Sequence, residues 1–336
     1  MDVSIIIINY KSAQLVLNCV ASIYQQTQQH SFEIIIVDND SKDDCKERVL
    51  SDFPETRWLQ TGYNAGFARA NNAGIHIAAG EYILILNADT IILDGAIDKS
   101  LFLLKQEREA IGCGVQLLNV DGTDQISGAY FVKGGLNSLL PLPYFGRVVR
   151  YFGYKFKSTV PSLKSFSGKV EVDWIVGAYI LVNKNRLQKS GLMDEDFFIY
   201  SEEIEWCSRL KKQGKLFLFA DPKVIHLLGG SSSDYYETNE KENSTNIWDK
   251  KGRQLIVSNM LRIRKQYGIL WFLFITGIYF FETPVFFFCL LTANIFTAGK
   301  AAYKWKDFFG YTKNLSILLR YFFKMLVNKP YFYKVG

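Results

Sequence analysis

The sequence lacks the features that define several common classes of protein. Its five cysteines are scattered and include no Cys-x-x-Cys pair, so neither a disulfide framework nor a cysteine zinc site is expected. No Gly-x-Gly-x-x-Gly motif follows the first predicted strand and no Walker-type loop occurs, which disfavours a dinucleotide fold and a P-loop. The residues Met1–Val3 lead into an apolar run without the basic region of a signal peptide. We therefore expect a catalytic body in a reducing, cytoplasmic compartment.

Acidic residues are nearly absent from the last quarter of the chain. Residues 1–249 hold 25 Lys and Arg against 31 Asp and Glu, whereas residues 250–336 hold 14 against two, Glu282 and Asp307. The net charge of +6 thus divides into an acidic body and a strongly basic tail, which is also rich in aromatic residues. Lipid headgroups suit such a surface better than nucleic acid does. We expect the cytoplasmic membrane surface as a partner, and no nucleic acid.

Apolar runs alternate with helical patterns through the first part of the chain. The runs Val3–Asn9, Glu33–Val37 and Tyr82–Leu86 have the composition of buried strands. Their alternation with helices predicts βαβ units and a mostly parallel sheet in an α/β fold. Because 336 residues exceed one typical domain, we expect a catalytic domain over residues 1–240 and a helical tail over residues 241–336. Later apolar runs predict three further strands, Val170–Asn183, Leu216–Phe219 and Lys223–Leu227.

Polar residues end or directly follow three of the predicted strands: Asn9 with Tyr10, Asp38-Asn39-Asp40-Ser41, and Asn87-Ala88-Asp89. The carboxyl ends of parallel strands meet at one edge of a sheet, where ligands bind. A carboxylate such as Asp89, with Asn87 two residues before it, can hold a hard divalent cation and leave coordination positions for substrate phosphates. A polar turn that ends the strand is the alternative interpretation.

Two later stretches also contain candidate site residues. Glu202 and Glu203 follow Ser201 at the start of a predicted helix, where the helix dipole favours carboxylates. The functional alternative is that a carboxylate among aromatic residues acts as a general base. His226 ends a strand before a glycine turn, which suits a metal or diphosphate contact, and a structural core histidine is the alternative.

Two regions point to a membrane surface or an acceptor. Residues 133–169 mix Gly, Pro and Ser with aromatic and basic residues and predict a long acceptor or interfacial loop, or a loop that folds onto the core. In the tail, Ile269–Phe281 and Val285–Phe296 are each shorter than the roughly 20 residues of a membrane span. If the two runs formed one span together, Glu282 would lie near the bilayer centre, at a cost of a few kcal/mol. We therefore expect a re-entrant or interfacial helical hairpin, with a buried helical pair as the alternative.

The sequence resembles glycosyltransferase family 2, particularly its bacterial rhamnosyltransferase-like branch that extends lipid-linked polysaccharide precursors. Seven stretches, in the family's order, carry the resemblance: Ser4–Tyr10, Ile36–Ser41, Asn64–Phe67, Gly80–Thr90, Val172–Asn183, Asp194–Cys207 and Val224–Ser231. The resemblance implies a GT-A nucleotide-sandwich fold that binds a nucleoside-diphosphate sugar with Mg²⁺ or Mn²⁺. It also implies inverting transfer to a saccharide acceptor on a lipid diphosphate, with dTDP-rhamnose as the first expected donor. A UDP-hexose donor and a non-catalytic sugar-nucleotide-binding regulator are the alternatives.

Matched position by position, the resemblance assigns roles to the candidate residues. Asn9 and Asp38 would contact the nucleoside, with Asp38 accepting a hydrogen bond from the pyrimidine N3. The remaining residues of the nucleotide-sugar pocket would be Tyr10, Asn64, Gly66, Asn87 and Ala88.

The resemblance also assigns the metal and catalytic residues. Asp89 would be the metal-binding carboxylate of the family's Asp-x-Asp element, whose first member here is Asn87, and His226 would complete the metal or diphosphate site. The family's Glu-Asp pair is Glu202-Glu203 in this chain, so Glu203 would be the base with one extra methylene. The sequence has neither the Gly-rich opening loop of a sugar nucleotidyltransferase nor the Gln-x-x-Arg-Trp motif of a processive synthase.

Overall fold

The computed structural model describes residues 1–155, 161–227, 246–296 and 302–335. The described residues form two compact units. The first contains those of Met1–Phe131, Pro161–Glu195 and Glu202–Thr238, and the second contains those of Val132–Val160, Asp196–Ser201 and Asn239–Gly336. The domain boundary at residue 240 stays a prediction.

Strands occur in the first unit and helices in both. The strands are β1 (Val3–Asn9), β2 (Phe32–Asp38), β3 (Arg57–Gln60), β4 (Tyr82–Leu86), β5 (Thr90–Ile92), β6 (Ala110–Leu118), β7 (Gly128–Ala129), β8 (Ser162–Leu163), β9 (Lys169–Val172), β10 (Trp174–Ile175), β11 (Tyr179–Asn183) and β12 (Lys215–His226). The α-helices are α1 (Ala13–Gln26), α2 (Cys45–Asp52), α3 (Gly66–Ile77), α4 (Ala96–Gln106), α5 (Phe145–Lys155), α6 (Leu187–Ser190), α7 (Glu202–Leu210), α8 (Lys250–Tyr267), α9 (Ile269–Phe296) and α10 (Trp305–Leu326). Short 3₁₀ helices span Lys133–Leu139 and Lys184–Arg186.

The central sheet of the first unit brings the ends of several strands to one edge. Its order is β3-β2-β1-β4-β11-β6-β12-β5, with β9 paired to β12. The strands from β3 to β4 run parallel, and Asn9 at the end of β1 lies opposite Asp38 at the end of β2. β12 runs antiparallel to β5, which places His226 opposite Thr90 and next to Asp89. The predicted α/β fold is therefore confirmed.

Both faces of the sheet are covered, because neighbouring residues along a strand point to opposite faces. In β1, Ile5 and Ile7 pack into one core cluster and Ile6 packs into the other. The same alternation occurs in β4, where Leu84 and Ile85 belong to different clusters. Strands buried on both faces have unbroken apolar sequences, which is why β1 and β4 could be read from the sequence.

Two predicted strand patterns were wrong. The run Val170–Asn183 forms three separate strands, because the chain leaves the central sheet after β9, pairs with β7 as β10 in a smaller sheet, and returns as β11 after a turn at Gly177 and Ala178. The runs Leu216–Phe219 and Lys223–Leu227 form one strand, β12, whose register against β6 shifts between Phe219 and Lys223. The residues between the two predicted strands form an irregularity in the pairing of β12 with β6, and they do not end the strand.

The second unit contains helices where the sequence predicted a loop. Residues 133–155 form a 3₁₀ helix and α5, so the long loop predicted for residues 133–169 is wrong in its first half. Helices α8, α9 and α10 pack around one core, to which Met260, Phe286 and Tyr311 belong. The predicted role of residues 133–169 in acceptor binding stays a prediction.

The apolar tail forms one helix instead of a hairpin. α9 runs without a break from Ile269 to Phe296 and includes Pro284. Glu282 does not end the helix, because its carboxylate accepts hydrogen bonds from the backbone N–H groups of Tyr144 at 2.7 Å and Phe145 at 3.0 Å. The predicted re-entrant hairpin is therefore wrong. Of the helices described, α9 alone is long and apolar enough to cross a membrane, and a third of its most apolar window is buried.

Replacing Glu282 with Ala is expected to lower the free energy of unfolding by about 1–3 kcal/mol, because two N–H groups at the start of α5 lose a charged acceptor. Glu282→Gln keeps one acceptor oxygen and is expected to cost less. Equilibrium unfolding in urea, monitored by circular dichroism, measures both changes. Equal stability of wild type and Glu282→Ala would show that this carboxylate does not hold α5.

Candidate active site

The nucleoside end of the predicted pocket is a polar cluster at the ends of β1 and β2. The Nδ2 of Asn9 donates to Asp38 Oδ1 at 2.8 Å and to Asp43 Oδ1 at 3.1 Å. The other oxygen of Asp38 accepts from Gln60 Nε2 at 2.7 Å and from the backbone N–H of Ser41 at 3.2 Å. Asn9 and Asp38 are both buried. These hydrogen bonds therefore fix the orientation of the Asp38 carboxylate before any nucleobase binds.

The start of α3 lies next to this cluster. The Oδ1 of Asn64 accepts from the backbone N–H of Gly66 at 3.1 Å. Asn39 joins the two residues, because its Nδ2 lies 3.2 Å from Asn64 Oδ1 and 3.3 Å from the carbonyl oxygen of Gly66. The Oδ1 of Asn39 also accepts from the N–H of Ala65 at 2.7 Å. Tyr10 lies half-buried in the turn after β1.

The turn Asn87-Ala88-Asp89 follows β4 and is held by its backbone. The N–H of Asn87 donates to the carbonyl oxygen of Ala178 at 3.1 Å, and its own carbonyl oxygen accepts from Thr90 Oγ1 at 2.7 Å. The methyl group of Ala88 is buried in the core, so only its backbone is available to a ligand. The turn thus presents Asp89 at the edge of the sheet.

The thiol of Cys19 lies beside this turn. The Sγ of Cys19 lies 3.5 Å from Thr90 Oγ1. Burial raises the pKa of the Cys19 thiol to about 12, so this thiol is protonated at neutral pH when no metal is bound.

The two predicted metal-binding residues face each other. The Nε2 of His226 lies 3.5 Å from Asp89 Oδ1, and both side chains are about one-tenth exposed. Gln125 holds the imidazole: its Nε2 donates to the carbonyl oxygen of His226 at 2.6 Å, and its Oε1 lies 3.1 Å from His226 Nδ1. Because an amide oxygen only accepts hydrogen bonds, Nδ1 carries a proton, and Nε2 is the ring nitrogen that faces Asp89.

An imidazole nitrogen and a carboxylate oxygen at this distance can bind the same cation. A carboxylate oxygen and a neutral imidazole nitrogen are both ligands for Mn²⁺, and a carboxylate also binds Mg²⁺. Within the described chain, no three or more His, Cys, Asp and Glu side chains cluster as a metal site. Asp89 and His226 therefore fit as two of the ligands of a divalent ion.

Replacing Gln125 with Ala is expected to weaken Mn²⁺ binding about ten- to a hundredfold, because the partner that fixes the orientation and tautomer of a ligating histidine is lost. Titration of Mn²⁺ in the presence of dTDP, followed by the electron paramagnetic resonance signal of free Mn²⁺, measures this change. The exposed Gln213, replaced in the same way, is the matched control. Wild-type affinity in Gln125→Ala would contradict the role of Gln125.

The two carboxylates predicted to act in catalysis begin α7. Glu202 is buried and Glu203 is half-buried. The side chain of Glu203 runs beside Gly177, since a Cβ added at Gly177 would lie 3.7 Å from Glu203 Cγ. The next residue, Ala178, accepts the backbone hydrogen bond from Asn87. Gly177 and Ala178 thus bring Glu203 to the edge where Asn87 begins its turn.

Three residues of these clusters, Asp43, Gln60 and Gln125, were not predicted from the sequence, although two of them had a signal. Asp43 lies just after the polar run that follows β2, and Gln60 ends β3 at the same edge of the sheet. Gln125 had no such signal in the sequence, because it lies in an irregular stretch 101 residues before His226.

The first unit is thus an α/β sheet with a buried polar cluster and a carboxylate–imidazole pair at its strand ends. A sequence model described as Glycosyl transferase family 2 matches residues 4–170, about half of the chain. The chain belongs to glycosyltransferase family 2.

Two curated relatives carry names that refer to rhamnose. N-acetylglucosaminyl-diphospho-decaprenol L-rhamnosyltransferase of Mycobacterium tuberculosis is 26% identical over 208 residues, which cover 57% of this chain and 66% of the relative. dTDP-rhamnosyl transferase RfbF of Shigella flexneri is 25% identical over 219 residues, which cover 64% of this chain and 66% of the relative. In both cases the matched part spans slightly less than two thirds of the relative's length.

One solved structure supports the fold. The crystal structure of GalNAc-T7 with UDP, GalNAc and Mn²⁺ matches with a TM-score of 0.51 at 14% identity, and the match covers 70% of this chain and 47% of that chain. At this identity the likeness shows the GT-A-like α/β fold alone.

Proposed function

We propose that the protein is a metal-dependent, inverting glycosyltransferase that moves a sugar from a nucleotide donor to a saccharide acceptor. The observation that carries the proposal is the pair formed by Asp89 and His226, whose facing oxygen and nitrogen atoms lie 3.5 Å apart at the same sheet edge as the nucleoside cluster. The names of the two relatives support dTDP-rhamnose as the donor, and one of them supports a lipid-diphosphate-linked acceptor.

Glu203 is the general base in the proposed reaction. Its carboxylate accepts the proton of the acceptor hydroxyl while that oxygen attacks the anomeric carbon of the donor. The bond between the anomeric carbon and the diphosphate oxygen breaks with its electron pair on the diphosphate. Attack from the opposite face inverts the anomeric configuration. Asp89 and His226 would hold a divalent ion, whose positive charge would stabilise the departing diphosphate.

The contact proposed for the nucleoside cluster suits a pyrimidine base, but it does not distinguish one pyrimidine from another. Asp38 would accept the N3–H that thymine and uracil share, so this contact does not separate dTDP-sugars from UDP-sugars. A UDP-hexose is therefore the second candidate donor. A panel of dTDP- and UDP-sugars, incubated with Mn²⁺ and a lipid-diphosphate-linked saccharide, tests the proposal. We expect a glycosylated product with dTDP-rhamnose, and binding without a product from any donor would favour a sugar-nucleotide-binding regulator.

The exposed face of α9 supports the proposed association with a membrane surface. Five apolar residues, each more than half exposed, recur along it at spacings of four and seven residues: Leu270, Phe274, Phe281, Phe288 and Ile295. Residues at these spacings share one face of a helix, so this apolar stripe is roughly 38 Å long. Soluble proteins rarely expose so large an apolar surface. The stripe therefore suits the acyl region of a bilayer.

The amphipathic helix α5 of the same unit combines aromatic and basic residues. Val148, Tyr151 and Phe152 are exposed, and so are Arg147 and Arg150. Apolar rings and cations on one short helix suit the boundary between acyl chains and anionic headgroups. We propose that the second unit binds the anionic cytoplasmic face of the cell membrane, where a lipid-linked acceptor would be present.

Replacing Phe274 and Phe281 together with Asp is expected to abolish binding to phosphatidylglycerol-containing vesicles, because each Asp puts a charge where an exposed ring would enter the bilayer. Flotation of the full chain with vesicles measures binding. Phe102→Asp is the matched control, since Phe102 is an exposed ring of α4 in the first unit. Full flotation of the double variant, or no flotation of wild type, would contradict the membrane proposal.

A further inference from the structure

We infer that the proposed active site contains a niche for a methyl group of a saccharide substrate, directly beside the proposed base. This inference rests on the proposed function, because it concerns which sugars the site accepts. Three residues of the first unit bound the niche: Phe67 in the first turn of α3, Gly177 in the turn before β11, and Glu203 in the first turn of α7. All three are half-buried, so a ligand can reach them.

The space beside Gly177 has the size of a methyl group. A carbon atom placed where the Cβ of residue 177 would lie is 3.7 Å from Phe67 Cζ, 3.7 Å from Glu203 Cγ and 3.8 Å from Glu203 Cβ. Among the described residues outside Val176–Ala178, these are the nearest heavy atoms. Carbon atoms attract each other best at about 3.5–4.0 Å. A methyl carbon at this position would therefore contact both walls of the niche without displacing either.

The walls of the niche are apolar. Phe67 contributes the edge of its ring, and this side chain packs against the core cluster that contains Ile6 and Ile85. Glu203 contributes the methylene carbons of its side chain. A hydroxyl group in contact with these three carbon atoms would gain no hydrogen bond from them, whereas a methyl group gains by leaving water. The niche therefore favours a methyl group over a hydroxyl group.

Neither backbone conformation nor packing requires a glycine at position 177. In the described part of the first unit, every other glycine either has a positive φ angle or would place an added Cβ within 2.7 Å of another atom. Gly168, with a φ angle of +62°, is an example of the first kind, and Gly114, at 2.5 Å from Ile175, is an example of the second. Gly177 belongs to neither kind. What the missing side chain provides at this position is the space beside the base.

Backbone hydrogen bonds hold the turn that forms the floor of the niche. The N–H of Val176 donates to the carbonyl oxygen of Ser127 at 3.0 Å, and the N–H of Tyr179 donates to that of Val176 at 3.3 Å. The carbonyl oxygen of Ala178 accepts from the N–H of Asn87 at 3.1 Å. The floor of the niche is thus joined to the turn that carries Asp89, and the proposed base borders it. The two reacting sugars would meet at this place.

Two kinds of sugar could bring a methyl group to the niche, and matched substrates distinguish them. A 6-deoxy donor such as dTDP-L-rhamnose carries the methyl group at carbon 6, and dTDP-L-lyxose lacks only this carbon. An N-acetylhexosamine acceptor carries it in the acetamido group, and the N-formyl analogue lacks only the methyl group. A methyl group in an apolar pocket typically changes kcat/KM about ten- to 200-fold. We expect the full chain with Mn²⁺ to show this preference in one of the two pairs, which identifies the sugar that occupies the niche.

Gly177→Ala places a methyl group of the protein in the niche, and the 3.7 Å contacts leave room for it in the folded chain. We expect this variant to convert the methyl-bearing substrate and its analogue with kcat/KM values within about twofold of each other, because the substrate methyl group is displaced. Phe67→Leu removes the edge of the ring and is expected to lower the preference several-fold. Ser51→Thr, which adds a methyl group on the exposed surface of α2, is the control and is expected to keep the wild-type preference.

Each outcome decides the inference. Equal kcat/KM values within both pairs for the wild type would overturn it, as would a wild-type preference that persists in Gly177→Ala. If circular dichroism shows that Gly177→Ala does not fold, an unchanged preference in Phe67→Leu would overturn it. If the wild type transfers no sugar at all, the proposed function fails, and calorimetric titrations of the same pairs with Mn²⁺ decide the inference. A methyl preference in affinity that Gly177→Ala removes would then support the niche, and no preference would overturn it.

Discussion

Glu203→Gln is expected to lower kcat about a hundred- to ten-thousandfold, the range that general-base catalysis typically contributes. Glutamine has nearly the shape of glutamate, so the change removes the basic oxygen while it preserves the packing beside Gly177. Glu203 is not part of the nucleoside cluster around Asp38, so the affinity for dTDP with Mn²⁺ is expected to stay at the wild-type value. Single-turnover transfer rates and calorimetric titrations of the two proteins measure both quantities.

The neighbouring carboxylate provides the comparison. Glu202 is only 3% exposed, so Glu202→Gln is expected to affect stability more than kcat. Near-normal turnover in Glu203→Gln would show that Glu203 is not the base. Loss of turnover in a folded Glu202→Gln, with Glu203→Gln active, would move the role to Glu202.

Asp89→Asn is expected to remove the metal-dependent part of nucleotide binding. The amide has no charge, and its N–H₂ can donate to His226 Nε2, so the two side chains would satisfy each other without a cation. Loss of a residue that hydrogen-bonds to a metal ligand lowers the metal affinity about ten- to a hundredfold. Loss of the ligand itself is therefore expected to lower it by more than about a hundredfold. Calorimetric titration of dTDP with Mn²⁺ and again with EDTA measures the difference.

A second carboxylate of the first unit serves as the control for this change. Asp121 lies in an exposed turn and accepts from Thr123, so Asp121→Asn is expected to bind dTDP and Mn²⁺ like wild type. An unchanged Mn²⁺-dependent titration in Asp89→Asn would remove Asp89 from the metal site.

The first unit was largely predictable because its signals are local. The run Val3–Asn9 is β1 to the residue, and Glu33–Val37 became β2 with one residue added at each end. The second unit was not predictable in the same way, because the contact that keeps α9 continuous joins Glu282 to Tyr144, which lies 138 residues earlier. The sequence shows that Glu282 is acidic but not which groups it contacts. A break in the helix was therefore predicted at Glu282, whereas in the structure this residue is buried and caps the start of α5.

The same distinction applies to the candidate site. Asn9, Asp38 and Asp89 stand where strands end, and the parallel pairing of β1 with β2 and β4 was enough to gather them. The residues that orient others had no such marker. Gln125 is an amide in an irregular stretch, and only the folded chain brings it to His226.

Acceptor-dependent release of nucleoside diphosphate tests the central claim most directly. With dTDP-rhamnose or a UDP-hexose, Mn²⁺ and a lipid-diphosphate-linked saccharide, we expect release that rises with acceptor concentration and stops with EDTA or in Glu203→Gln. Tight nucleotide binding with no release of diphosphate from any of these donors, at any acceptor concentration, would contradict the claim that this site is catalytic.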